Sequence, residues 1–298
     1  MALELKGCLT ALVTPFTRDG SVDEPALRHL AEWQIASGIH GLVPVGSTGE
    51  AATLSPDERV RVTSIVAEVA GGRLPVVAGA GTNDTKVAIA WSKQMAAAGA
   101  THLLHVSPAY SKPPQRGLLA HYRAIADAAP RPIVVYNVPG RTASNVEADT
   151  TLALAEHPNI VAVKEACGNL AQIGDIIKRR PRGFAVLSGD DALTVEIMQR
   201  GGEGIISVIS NAAPAQMAEL CNAALAGDFA RACTLHLKLE PLMKAAFVES
   251  NPIPIKAALA MERRIENVLR LPLVPLDGKY EGELRRSLIA AGALTGAW

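Results

Sequence analysis

The chain has 298 residues, 49% of them apolar, enough to fill one large barrel or two smaller domains. Lys and Arg total 29 and Asp and Glu total 29, so no basic field exists to gather nucleic acid or an anionic membrane surface. No apolar stretch continues for the ~18 to 20 residues that a membrane span requires, which leaves small molecules and further copies of the chain as the expected partners.

Cys8, Cys167, Cys221 and Cys233 fall in no CxxC arrangement. The N-terminus lacks a basic segment followed by an apolar signal core, so free thiols in a reducing cytoplasm are the expectation.

Eight short runs rich in Val, Ile and Leu follow one another, each bounded by turn residues and succeeded by a segment with helical spacing. They are "CLTALVTP" from Cys8, "GLVPVG" from Gly41, "LPVVAGAG" from Leu74 and "THLLHVSP" from Thr101. Then come "PIVVYNVP" from Pro132, "NIVAVKEA" from Asn159, "FAVLSGDD" from Phe184 and "GIISVISN" from Gly204. Their starts lie about 20 to 35 residues apart, the length of one strand and one crossover helix. Continuous apolar runs belong to parallel strands covered on both faces, so the pattern predicts an α/β protein built as a (β/α)8 barrel. The barrel is expected over residues 1–226, with 227–298 as a helical appendix broken by "ESNPIPIK" and "LRLPLVPL". A doubly wound open sheet is the alternative, but it requires a glycine-rich nucleotide turn, and neither GxGxxG nor a Walker sequence is present.

In such a barrel the active site is built where the strands end. Strand two ends in "GSTGE", strand four is followed by Tyr110, strand five contains Tyr136 and leads to Arg141, strand six ends on Lys164, and strand seven ends in "SGDD". Ser47 and Thr48 offer hydroxyls, and Gly46 and Gly49 allow backbone N–H groups to converge on an anion ahead of the next helix. A carboxylate fits better than a phosphate, because no lysine follows as in a P-loop. The alternative for this stretch is an ordinary capped glycine turn.

Lys164 closes an apolar run, and a lysine is rarely buried without a partner or a task. Either it reaches water just past the strand end, or it is a desolvated amine held for covalent chemistry. Strand alternation places it with Ala162 and Ala166, whose small side chains leave space beside the amine, and places Tyr136 with Val134 and Val138 on an inward face. An ordinary lysine is only about 0.04% neutral at pH 7, whereas burial that lowers its pKa to ~7 makes about half of it nucleophilic. Such an amine attacks a ketone to give a Schiff base, and the proton each step moves needs a carrier such as Tyr136, with the Thr48 hydroxyl as a link.

A metal site is not expected. His102 and His105 form the close histidine pair on a strand, and a spacing of three puts them on opposite faces. Asp190 and Asp191 have no histidine or third carboxylate nearby and are expected to cap the next helix and orient the site.

The stretches "GSTGEAATL", "SPAYSKPPQRGL", "YNVPGRT", "VAVKEACGNL", "LSGDD" and "ESNPIPIK" resemble the dihydrodipicolinate synthase family, over essentially the whole chain. The barrel, the lysine and the strand-five tyrosine are shared by the wider pyruvate-dependent class I aldolase and lyase superfamily. The narrower likeness rests on "NVPGRT" with Arg141 and on "NPIPIK". The resemblance implies that Lys164 forms a Schiff base with pyruvate, with no cofactor, and that Tyr136, Thr48 and Tyr110 relay protons. Tyr110 would enter from a neighbouring subunit of a homotetramer built as a pair of tight dimers. Ser47 and Thr48 would hold the pyruvate carboxylate, Arg141 the carboxylate of aspartate semialdehyde, and Gly189 and Ile206 would line the pocket with backbone groups. Ser47 departs from the threonine common in these synthases and is shared with sialic acid lyases and related sugar-acid aldolases, which are the alternative function. A non-catalytic keto-acid-binding relative is the alternative from another class. Lysine-inhibited members bind lysine at positions that fall here on Ala51, Pro56, Arg59, Asn83, Val87 and Ala109, of which Asn83 keeps a suitable amide, so insensitivity to lysine is expected.

Overall fold

The computed structural model describes residues 3–294. Eight parallel strands are present: β1 (Gly7–Ala11), β2 (Gly41–Val43), β3 (Val77–Gly79), β4 (His102–Val106), β5 (Ile133–Asn137), β6 (Ile160–Glu165), β7 (Ala185–Ser188) and β8 (Gly204–Ser207). Each of the eight apolar runs coincides with one of them, β1 starting one residue ahead of its run. The strands pair in sequence order and β1 also pairs with β8. The remaining seam, between β2 and β3, is spanned by a parallel bridge at Leu42 and Val76. Backbone bonds from Leu42 N–H to Pro75 O, 2.9 Å, and from Gly79 N–H to Pro44 O, 3.0 Å, flank it.

The runs are continuously apolar because both faces of each strand are covered. Leu9, Val43, Val77, Leu104, Val134, Ala162, Leu187 and Ile206 fill the barrel interior. The alternate residues Ile133, Val135, Val163 and Val186 pack outward on Leu118, Tyr122, Ile125, Ile173 and Ile176 of the surrounding helices. Those helices start where the sequence supplies caps. Ser55 and Glu58 form a reciprocal capping box at the head of Pro56–Ala70, and Asp23, Asp84 and Asn169 accept backbone N–H groups at the heads of Glu24–Ala36, Thr85–Ala97 and Leu170–Arg179.

β2 and β3 are shorter than their apolar runs. Val45 turns left-handed at φ +58° and ends β2, and its carbonyl then crosses so close to β3 that a Cβ on Gly79 would lie 1.9 Å from it. Only glycine fits there.

After the helix Pro214–Leu225 the chain forms helices Phe229–Ala245, Ile253–Met261 and Gly278–Ala291. Their apolar faces share one buried cluster with the barrel, joining Cys8, Ile205 and Leu220 to Leu239, Leu242, Ile255, Leu284 and Leu288. The segment between the first two of these helices crosses the C-terminal mouth of the barrel and brings Asn251 against Thr48. Among the described residues no helix is long and apolar enough to cross a membrane.

Candidate active site

A cavity of about 450 Å³ opens at the C-terminal ends of the strands. Ser47 and Thr48 after β2, Tyr136 and Arg141 on and after β5, Lys164 on β6 and Gly189 after β7 all line it, and the helix Phe229–Ala245 and Asn251 complete its wall. A second cavity of about 530 Å³ adjoins it through Ser47, Tyr136, Arg141 and Asn251.

The β5–β6 register sets Tyr136 directly beside Lys164, and the lysine Nζ lies 4.2 Å from the centre of the tyrosine ring. Lys164 is 5% exposed. Burial pushes its amine down to about 7, a displacement that Asp191 opposes and Arg141 reinforces. Burial pushes the Tyr136 hydroxyl up to about 12, against the pull of Arg141. Gly189 makes the lysine's position possible, because a Cβ there would lie 3.0 Å from Lys164 Cε and 2.8 Å from Ala166 Cβ.

Asp190 and Asp191 divide into two tasks. Asp190 Oδ1 accepts the Ala192 N–H at 3.0 Å and caps the turn after β7. Asp191 does not cap: it is 1% exposed, accepts the Ser207 hydroxyl, and takes the Val208 and Ile209 N–H groups at 3.0 and 3.3 Å. Burial raises its carboxyl to about 6, against those three hydrogen bonds.

Thr48 is buried and its Oγ1 accepts from Asn251 Nδ2 at 2.9 Å. The Asn251 carbonyl in turn accepts from Arg141 Nη1 and Nη2 at 3.4 and 3.3 Å. Arg141 itself is solvent-exposed, at the end of the short turn Pro139–Thr142, and lines both cavities. Ser47 is exposed and lines both cavities, while Thr48, one residue on, is buried and lines the first.

Two expected site residues stand apart. Tyr110 is 93% exposed at φ +67° and lies outside this cavity's lining. Ile206 lies wholly buried in the interior cluster and not in the lining. His102 and His105 occupy opposite faces of β4. Burial pulls His102 down to about 4 beside Arg131, and His105 down to about 3, with its Nε2 3.2 Å from Ser92 Oγ. Among the described residues no three His, Cys, Asp or Glu side chains gather as a metal-ligand set.

Sequence reasoning misses Asn251, the buried Glu50–Lys256 pair and the inward role of Asp191. Lys256 carries the same signal as Lys164, a lone charge in an apolar run, here "PIPIKAALAM".

A closed parallel barrel with a desolvated lysine and a protonated tyrosine facing one cavity at its C-terminal mouth defines a Schiff-base-forming lyase. Comparison with known proteins narrows the class. A model of the dihydrodipicolinate synthetase family matches residues 4–291, and the chain belongs to that family. It is 51% identical to the 4-hydroxy-tetrahydrodipicolinate synthase of Koribacter versatilis (strain Ellin345), over 99% of each chain. Among solved structures it matches dihydrodipicolinate synthase from Thermotoga maritima at 43% identity and a TM-score of 0.95, over 97% of this chain and 99% of that one. It matches the chloride-inhibited dihydrodipicolinate synthase from Acinetobacter baumannii, complexed with pyruvate, at 44% identity and the same TM-score, again over 97% and 99%.

Proposed function

We propose that the chain is a 4-hydroxy-tetrahydrodipicolinate synthase, condensing pyruvate with L-aspartate 4-semialdehyde and so committing carbon to diaminopimelate and lysine. The observation that carries the reading is the Lys164 amine, held near neutrality beside Tyr136 in a cavity with Arg141 at its mouth. The amine attacks C2 of pyruvate, and loss of water leaves a protonated imine. Loss of a C3 proton gives the enamine, whose C3 attacks the aldehyde carbon while the aldehyde oxygen takes up a proton. The amino group of the second substrate then attacks the imine carbon, closes the ring and releases Lys164, so that one water is lost overall.

In this reading Tyr136 and Thr48 move the protons, and Tyr110 enters from a neighbouring subunit to extend the relay toward solvent. Ser47 and Thr48 receive the pyruvate carboxylate, Gly189 and Ile206 contribute backbone groups, and Arg141 pairs with the carboxylate of the aldehyde, which suits a guanidinium fork better than a polyol chain does. The working form is a homotetramer of paired tight dimers in the cytoplasm, with residues 1–226 as the catalytic barrel and 227–298 as its helical region. An acceptor panel with pyruvate fixed tests the reading: turnover is expected with aspartate semialdehyde, and turnover with N-acetylmannosamine in its place would overturn it in favour of a sialic acid lyase.

A further inference from the structure

One residue beyond Tyr136 and Lys164, the β5–β6 ladder sets Asn137 beside Glu165. Alternation turns these two to the outer face of the sheet, and both are wholly buried. Amides hold the Glu165 carboxylate. Asn137 Nδ2 donates to Oε1 and Oε2 at 3.1 and 3.2 Å, and Gln172 Nε2, on the helix Leu170–Arg179, donates to Oε1 at 3.3 Å. Burial raises the Glu165 pKa, while hydrogen bonds from Cys167, Asn137 and Gln172 oppose the rise, and no cation among the described residues assists them. A buried carboxylate without a cation is costly to keep, so packing β6 against its helix does not account for it.

Its position does. The Asn137 carboxamide meets the backbone of Val146 as a peptide group would: Oδ1 accepts the Val146 N–H at 2.9 Å, and Nδ2 reaches the Val146 carbonyl at 3.2 Å. Gln172 Nε2 reaches the same carbonyl at 3.1 Å, and its Oε1 accepts from Asn145 Nδ2 at 2.9 Å. Residues 138–145 are therefore a loop clasped at its base, with Arg141 near its middle. Within the loop Ala143 turns left-handed at φ +56°, and Thr142 Oγ1 accepts the Ser144 N–H at 3.2 Å, so the base is tied to the arginine through ordered backbone. The hydrogen bonds of the guanidinium itself, to the Asn251 carbonyl at 3.3 and 3.4 Å, are long. Where Arg141 stands is thus set by the loop more than by its own contacts.

We propose that Glu165 is a positioning residue for the second substrate: it orients the Asn137 and Gln172 amides that clasp the loop 138–145, and thereby fixes where Arg141 meets the substrate carboxylate. The inference rests on reading Arg141 as the partner of that carboxylate.

A kinetic double-mutant cycle tests it. Glu165→Gln keeps the size of the side chain, removes the buried charge and puts an NH2 group among donors that need acceptors; it is expected to fold, by circular dichroism and thermal melting. It should lower kcat/KM for aspartate semialdehyde by about ten-fold, chiefly through KM, the effect of a misplaced binding group. The rate of borohydride trapping with pyruvate should stay within about two-fold of the parent, because Lys164 keeps its place in the ladder. In an Arg141→Ala background the same replacement should cost less than about two-fold, since the group it positions is already gone. Parental kcat/KM in Glu165→Gln, an equal loss in pyruvate trapping, or an equal cost in both backgrounds overturns the proposal and makes the network purely structural. If Glu165→Gln does not fold, Gln172→Leu, at a half-buried position, takes its place in the cycle: a loss confined to the aldehyde and absent without Arg141 supports the clasp, and any other pattern overturns it. An Arg141→Ala variant with the parental rate overturns the reading of Arg141 and the clasp together.

Discussion

Tyr136 and Lys164 are partners in the β5–β6 ladder, and the amine lies over the tyrosine ring at 4.2 Å. The ring face favours the ammonium form, yet burial outweighs it and holds the amine at about 7, while the phenol rises to about 12. At neutral pH the pair therefore presents a half-deprotonated nucleophile next to a fully protonated donor. Pyruvate with borohydride should leave a reduced adduct on Lys164, heavier by one pyruvate less its carbonyl oxygen, and Lys164→Ala should show none. Trapping on a different lysine would refute the assignment.

The same shift sets a pH dependence. Only the neutral amine attacks, so the rate of adduct formation at limiting pyruvate should climb as pH rises through about 7 and level off above it. An ordinary lysine would keep climbing to ~10.4. The Asp191 carboxylate supports the ammonium, so Asp191→Asn should lower the lysine pKa further and move the rise to lower pH. An asparagine amide cannot accept both the Val208 and Ile209 N–H groups as well as the Ser207 hydroxyl, and a stability loss of ~1 to 3 kcal/mol should accompany it. An unmoved midpoint in a folded Asp191→Asn protein would show that the two groups do not sense each other.

What the sequence reveals and what it hides follow from the range of the contacts. Lys164 and Tyr136, though not Gly189, which enters only through the family resemblance, are legible because strand alternation and the barrel's C-terminal rule are local: alternation gives the face and the strand end gives the mouth. Asn251 is not, since it meets Thr48 across 203 residues of chain and only the closed fold brings them together. Locally, "ESNPIPIK" shows no more than a break between helices. The doublet of Asp190 and Asp191 conceals which carboxylate caps and which is buried, because at a strand end one residue of phase decides it. β2 stops short of its apolar run because Val45 turns left-handed, and nothing local shows that turn; the space for it is provided by Gly79 on the next strand.

Arg141 separates the two substrates. Its guanidinium stands at the junction of the two cavities and contacts only the Asn251 carbonyl by hydrogen bond among the described residues. Arg141→Ala should reduce kcat/KM for aspartate semialdehyde by about ten- to a hundred-fold while the pyruvate adduct still forms. Equal rates of variant and parent with that aldehyde would remove the reason for preferring a carboxylated acceptor.

Tyr110 holds a bulky side chain in a left-handed backbone and 93% exposed. Its N–H is tied to the Thr142 carbonyl at 3.1 Å, and the Ala109 N–H to Asn83 Oδ1 at 2.8 Å. Strain kept at an outward-facing residue is consistent with a task beyond its own subunit. Dilution to monomers should abolish activity, and Tyr110→Phe should impair turnover with little change in melting temperature. A fully active monomer in sedimentation would refute the shared relay.

Lysine should leave the enzyme uninhibited at ordinary cellular concentrations. Ala51, Arg59, Asn83 and Ala109 line the second cavity, and a lysine zwitterion entering it would bring an ammonium, a carboxylate and a side-chain amine out of water. Each polar group left unpaired costs ~1 to 3 kcal/mol, more if charged. Ala51, Val87 and Ala109 have no polar side-chain atoms, and Asn83 has already given its oxygen to the Ala109 N–H. Arg59 is the remaining candidate to capture the carboxylate. Its guanidinium, however, donates to the Ala51 and Leu54 carbonyls and stacks 3.9 Å from the centre of the Trp91 ring, so recruiting it breaks contacts already made. Two or three lost contacts, at 1.4 kcal/mol per factor of ten, weaken binding by about a hundred-fold or more. Initial rates measured against lysine concentration decide the matter: half-inhibition well below the millimolar range would mean that Arg59 has left Trp91 and a lysine site has been rebuilt around it.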